Sequence, residues 1–145
     1  MIEDKISDIN PELNAFLQVH CEGIPIESPV IDALIEAIKI INSKIRIDKK
    51  YHVLLGRSPF QIPTVGTLTY NMEPCTVGIV IEHFIFIDYS MLIPSPPYER
   101  IAIILEELVH ALMNVTVHPL APHIVCLLYP CVTWDDVHEK YVKRI

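Results

Sequence analysis

Twice along this chain apolar residues recur at helical spacing, and between those two stretches the period changes to that of short strands. Behind Ser28-Pro29, the residues Ile31, Leu34, Ile35, Ile38 and Ile41 fall three or four apart and predict a helix to about Ser43. The same spacing returns from Tyr98 to about Asn114, with Ala102, Leu105, Val109 and Leu112 on the apolar side. Between them, Tyr51 to Leu55, Thr67 to Tyr70, Thr76 to Ile81 and His83 to Tyr89 are short runs rich in β-branched and aromatic residues. Gly56, Pro59, Pro63, Gly66 and Pro74 punctuate these runs as turns do between strands. At the N-terminal end, Asn10-Pro11-Glu12 is a helix start, and Leu13, Phe16 and Leu17 supply a stripe ending near His20. At the other end, Thr133 can cap a last helix that closes on Lys140, Lys143 and Arg144. The layout expected is α+β: N-terminal helices, a small mixed or antiparallel sheet, the helix from Tyr98, then C-terminal helices.

No repeat or linker divides the 145 residues, so residues 1–145 read as a single domain. The chain is 51% hydrophobic and 20% charged, a balance that excludes a disordered tail. Its net charge of −7 argues against nucleic acid as a partner, because phosphate neutralisation needs a surplus of Lys and Arg. A mean hydropathy of +0.37 raises the question of a membrane span. Glu82, His83 and Asp88 interrupt the apolar run Val77 to Pro94, and Pro119, Pro122 and Pro130 break the uncharged stretch Ala111 to Trp134. A spanning helix needs about 20 mostly apolar residues without such breaks, so no membrane span is expected. Cys21, Cys75, Cys126 and Cys131 show no Cys-x-x-Cys spacing and read as free thiols of a reducing compartment. With an acidic opening, Met1-Ile2-Glu3-Asp4-Lys5, that points to a cytoplasmic location.

The string that carries chemistry is Ile104-Leu105-Glu106-Glu107-Leu108-Val109-His110-Ala111-Leu112. Glu106 and His110 are four apart, so they stand one turn apart on one helix face and can share a metal ion. Glu107 is rotated by about 100° from Glu106, an offset at which a carboxylate reaches water beside such an ion. These three side chains lie inside otherwise apolar sequence, where unpaired burial is costly. The bland reading is a solvated helix face flanking a packed histidine.

This string resembles the active-site helix of the zincin metallopeptidases, whose pattern is His-Glu-x-x-His. A strand like His83 to Tyr89 precedes the helix and a short loop carrying another His follows it, so the resemblance covers roughly Thr76 to His118. It implies that Glu107 is the general base and His110 the second ligand of zinc or another divalent metal. Glu106 stands where the family has its first His, which lowers the net charge of the site and shifts preference toward harder ions. His118, past Asn114, sits at a distance resembling the loop ligand of some zincins, though not at the commonest spacing. His123, Asp135, Asp136, His138 and Glu139 are alternatives for the third ligand. His20, His52 and His83 have no motif partner and read as structural.

Three functions remain open. One is a metal-dependent hydrolase acting on peptides, with Glu107 as base. Another is a zincin-like protein that has lost catalysis and binds a peptide or protein partner, favoured by the missing first His and the apolar, Pro-rich stretch Val117 to Trp134. The third is an unrelated α+β interaction domain. Oligomeric state is not legible in the residues.

Overall fold

The computed structural model describes residues 1–57, 60–63, 67–70, 77–81 and 83–145. The elements run α1 (Ile2–Ile9), a 3-10 turn (Leu13–Ala15), β1 (Leu17–Cys21), α2 (Pro29–Lys44), β2 (Tyr51–Gly56), β3 (Phe60–Pro63) and β4 (Thr67–Tyr70). They continue with β5 (Gly78–Ile81), β6 (Phe84–Asp88), α3 (Tyr89–Leu92), α4 (Pro97–Leu112), α5 (Leu120–Leu128), β7 (Val132–Asp135) and β8 (Lys140–Lys143). The mixed α+β class expected from the sequence is the one found.

The main sheet has the order β1-β2-β6-β5. Its first three strands are parallel, and β5 pairs antiparallel with β6, Gly78 opposite Ile87 and Ile81 opposite Phe84. Two hairpins, β3–β4 and β7–β8, form separate two-stranded sheets. Parallel neighbours need covering on the faces, and that is visible in the burial pattern. Leu17, Val19, Val53, Leu55, Ile85 and Ile87 are buried and join the apolar sides of α2 and α4 in one cluster. Ile38, Ile41, Ala102, Leu105 and Val109 are fully buried within it. Each such Leu or Ile contributes about 1.5–3 kcal/mol relative to exposure, enough to fix both helices against the sheet.

The helix starts follow from the sequence chemistry. Ser28 Oγ accepts the Val30 amide and Pro29 occupies the first turn of α2. Pro97 opens α4, and Asn114, at φ 54°, takes the left-handed conformation that ends it. That end sets the direction in which the chain leaves toward His118.

Two expectations are corrected. The helix predicted from Asn10 to His20 is a 3-10 turn followed by β1. Asn10 caps only a turn, accepting from the Glu12 amide at 3.0 Å, and Leu17 and Val19 alternate with exposed Gln18 and His20 at the period of a strand. The real N-terminal helix lies earlier, with Ile2 and Ile6 buried one turn apart. The helix predicted from Thr133 is the β7–β8 hairpin. Asp135 Oδ1 accepts the Val137 and His138 amides, which folds the chain into a turn, and Glu139 adopts φ 49°. Lys140, Tyr141, Val142 and Lys143 then bury only Tyr141, as a strand does. Pro59, Gly66, Pro74, Thr76, Glu82 and Cys75 lie outside the described residues. Among the described residues, no helix is long and apolar enough to cross a membrane.

Candidate functional site

Glu106, Glu107 and His110 sit on the third and fourth turns of α4, and their side chains are only partly exposed. The helix buries Leu105, Leu108 and Val109 around them, so the three polar groups emerge where the apolar stripe gives way. The side chain of Glu106 is 15% exposed and that of His110 is 22% exposed. His118, from the loop after α4, reaches back over the helix: its Nδ1 lies 3.6 Å from Glu106 Oε1. His110 Nε2 lies 3.8 Å from the same oxygen. The structure therefore brings the three sequence-predicted ligands together around one carboxylate oxygen.

The proton on His110 can be placed. Nδ1 is 2.6 Å from the Val115 carbonyl, and a carbonyl only accepts, so Nδ1 carries hydrogen and donates it. Nε2 is the ring nitrogen left facing Glu106. An imidazole tied to a backbone carbonyl through its other nitrogen is the arrangement in which histidine binds metals. Donor separations of 3.6 and 3.8 Å exceed hydrogen-bond length. They approach the spacing of about 3.3 Å between ligands on a tetrahedral ion with bonds of about 2.0 Å. Two imidazole nitrogens and a carboxylate oxygen also form a set that suits zinc. As placed, no three His, Cys, Asp or Glu side chains among the described residues close around one point. Holding an ion there would require the side chains to move, and the loop-borne His118, 49% exposed, is the least enclosed of the three.

Glu107 is turned about 100° around the helix from Glu106 and lies against the outer strand β5. A Cβ on Gly78 would lie 2.5 Å from Glu107 Cγ and 2.8 Å from its Oε1, so this carboxylate occupies space that only glycine leaves open. Burial, and then the charge of Glu106, push its pKa up to about 8. Two hollows adjoin it. One of about 410 Å³ is lined by Tyr51, Gly78, Glu107, His110 and Asn114. The other, of about 350 Å³, is lined by Gly78, Glu106, Glu107, His118, Trp134 and Tyr141. Glu106 and His110 thus open onto neighbouring hollows that share Gly78 and Glu107.

Sequence reasoning missed three residues of this cluster. Tyr141 on β8 donates its hydroxyl to Glu106 Oε2 at 2.6 Å. Burial and the Glu106 charge raise its pKa, so it stays protonated and donating. Trp134 on β7 meets the rings of His118 and Tyr141 edge-on, at 5.8 and 4.9 Å. Gly78 is the third. The aromatic and β-branched pair Tyr141-Val142 was the available signal for the hairpin; Gly78 had none, because its role is the absence of a side chain.

The other candidate third ligands lie elsewhere. His123 approaches Asp136 at 3.5 Å, and His138 Nδ1 donates to Asp135 at 2.7 Å. Glu139 borders the smaller hollow. Cys21, Cys126 and Cys131 are free thiols. No family model, curated protein or solved structure matches this chain.

Proposed function

We propose that this protein is a zincin-like, metal-dependent hydrolase of peptides, with Glu106, His110 and His118 holding the ion and Glu107 acting as general base. The observation that carries this reading is the single oxygen, Glu106 Oε1, faced by His110 Nε2 at 3.8 Å and His118 Nδ1 at 3.6 Å. A carboxylate oxygen this close to two ring nitrogens is stabilised by a proton or a cation held among them. Zinc or another divalent ion would supply Lewis acidity there, polarising a carbonyl and activating water.

The remaining work falls to the chain itself. Glu107 would accept a proton from water and return it to the leaving amine, the task of a carboxylate whose pKa lies near the working pH. β5 is the outer strand of its sheet, and among the described residues no strand pairs with its far side. An extended peptide can add there through backbone hydrogen bonds, which would lay its carbonyls beside Glu107 at Gly78. The two hollows flanking Glu107 would then take side chains on either side of the cleaved bond.

The experiment is hydrolysis of a mixed peptide library by the zinc-loaded protein, read by mass spectrometry. Cleavage should appear with wild type and vanish with Glu107→Gln while zinc content is kept. Cleavage that persists in Glu107→Gln would remove the assigned base. A second reading keeps the ion and discards the chemistry, leaving a binding protein. It is favoured by a carboxylate in the first ligand place and by exposed Val117, Leu120 and Leu127 after α4. Stoichiometric zinc without any cleavage would select it.

A further inference from the structure

Along α4, Glu99, Ile103, Glu106 and Glu107 fall at positions i, i+4, i+7 and i+8, one face of a helix. That face walls the hollow of about 350 Å³, and the β7–β8 hairpin brings Glu139, Lys140 and Trp134 to the same space. Four carboxyl groups therefore meet one ammonium group there. Glu106 accepts from Tyr141, but among the described residues no hydrogen bond or ion pair reaches the side chains of Glu99, Glu107 or Glu139. Glu107 is largely buried against Gly78, where an acceptor without a donor is costly. The carboxyl groups stand apart around the hollow, no three closing on one point, a spread that suits an extended organic cation. Trp134 supplies an indole, the ring that best attracts a cation, and Ile103 supplies apolar surface for an alkyl stem.

We propose that this hollow is a specificity pocket for a lysine or arginine side chain of a peptide laid along β5, with Glu99 and Glu139 as charge partners and Trp134 as the wall. The inference rests on the peptide addition at β5 proposed above and needs no ion. Val77 and Gly78, at the start of that outer strand, border the hollow. Side chains of an added strand alternate between its two faces, so one of them drops into the hollow while its neighbours point away. A cationic tip there meets the carboxylates that lack partners, and its stem packs on the indole.

The test titrates metal-free, full-length protein with capped pentapeptides of threonine and valine that carry a central lysine, arginine or norleucine. Calorimetry gives the affinity. Trp134, the single tryptophan of the chain, reports through its emission whether the ligand enters this hollow. The lysine and arginine peptides should change that emission and bind about tenfold or more tightly than the norleucine peptide, which has a similar stem without the charge. Their affinity should fall as salt is raised. Glu99→Gln and Glu139→Gln should each weaken the two basic peptides about 2–5-fold and leave the norleucine peptide unchanged. Equal affinity for all three peptides, or binding without a change in Trp134 emission, overturns the pocket while peptide addition at β5 stands. Butylguanidine that binds as tightly as the arginine peptide assigns the hollow to a free organic cation and overturns the peptide assignment. Wild type that binds none of the peptides, metal-free or zinc-loaded, refutes the peptide reading and this inference together.

Discussion

Imidazoles meet in two regions of this molecule, and the two meetings differ in what satisfies them. On the sheet, His20 Nε2 and His52 Nδ1 lie 3.1 Å apart, so one donates and the other accepts. His52 also stacks on Phe84 at 5.1 Å and on His20 at 5.3 Å. At the end of α4, His110 and His118 address the same carboxylate oxygen from beyond hydrogen-bond length, with His110 already donating through its other nitrogen. The sheet pair completes itself. The helix pair leaves two ring nitrogens near one carboxylate oxygen without a hydrogen bond to it, the feature on which the proposed ion site rests. Proximity of histidines is therefore a poor guide to metal binding; whether each ring nitrogen already has its hydrogen bond is the better one.

Variants at the two regions should separate most widely in zinc affinity. His110→Ala and His118→Ala each remove a ligand and should cost more than the 10–100-fold typical of losing a hydrogen-bond partner to a ligand. His20→Ala and His52→Ala should bind zinc as wild type does. Isothermal titration of the four proteins makes the comparison, and equal losses in both regions would dissolve the distinction.

The next effect is electrostatic. Glu107 has its pKa raised to about 8 by burial and by Glu106, whereas the unfolded chain has an ordinary carboxyl value. The folded state then binds this proton more tightly. Its stabilising contribution is full below the unfolded value and is lost as pH rises toward 8. Metal-free Glu107→Gln should match metal-free wild type near pH 4 and exceed it at pH 9 by on the order of a few kcal/mol. Urea unfolding at the two pH values measures this, and a pH-independent difference would contradict it.

Gly78→Ala should have a smaller energetic effect. The atoms in its way are the flexible end of Glu107, so stability should change by no more than about 1 kcal/mol. The displaced carboxylate should nonetheless reduce peptide cleavage at least about tenfold, which corresponds to about 1.4 kcal/mol in the barrier. Full activity in this variant would detach Glu107 from the proposed chemistry.

The smallest effect belongs to the sheet pair. Desolvation, then His20 and His83, lower the pKa of His52 below the ordinary value. A group with a depressed imidazole pKa supports the fold above the unfolded value, and that support declines as pH falls through the window beneath it. His52→Phe should flatten the dependence of melting temperature on pH between neutral and mildly acidic conditions, with zinc affinity untouched. An unaltered pH slope would remove this role.

The contrast also shows where sequence was informative. α2 and α4 were legible because their cap signals and three-to-four spacing are local, and Glu106, Glu107 and His110 came with α4. β6 was legible as a nearly continuous apolar run. β1 was misread because Leu13, Phe16 and Leu17 fit a helical stripe, while pairing with β2 imposed the alternation of Leu17 and Val19. The hairpin β7–β8 was misread because Thr133 followed by two aspartates resembles a helix cap as much as a turn. That error hid Tyr141 and Trp134, whose link to Glu106 and His118 exists only after the chain folds back. Gly78 was hidden for a related reason, since its partner Glu107 is brought to it by the packing of α4 against the sheet edge.

The central claim is that Glu106, His110 and His118 together hold one divalent ion. The most direct measurement is elemental analysis of tag-free protein, purified without added metal and again after equilibration with zinc and gel filtration. The account predicts close to one equivalent of a divalent ion per chain in wild type and none in His110→Ala. Wild type that retains no stoichiometric ion in either preparation would contradict it.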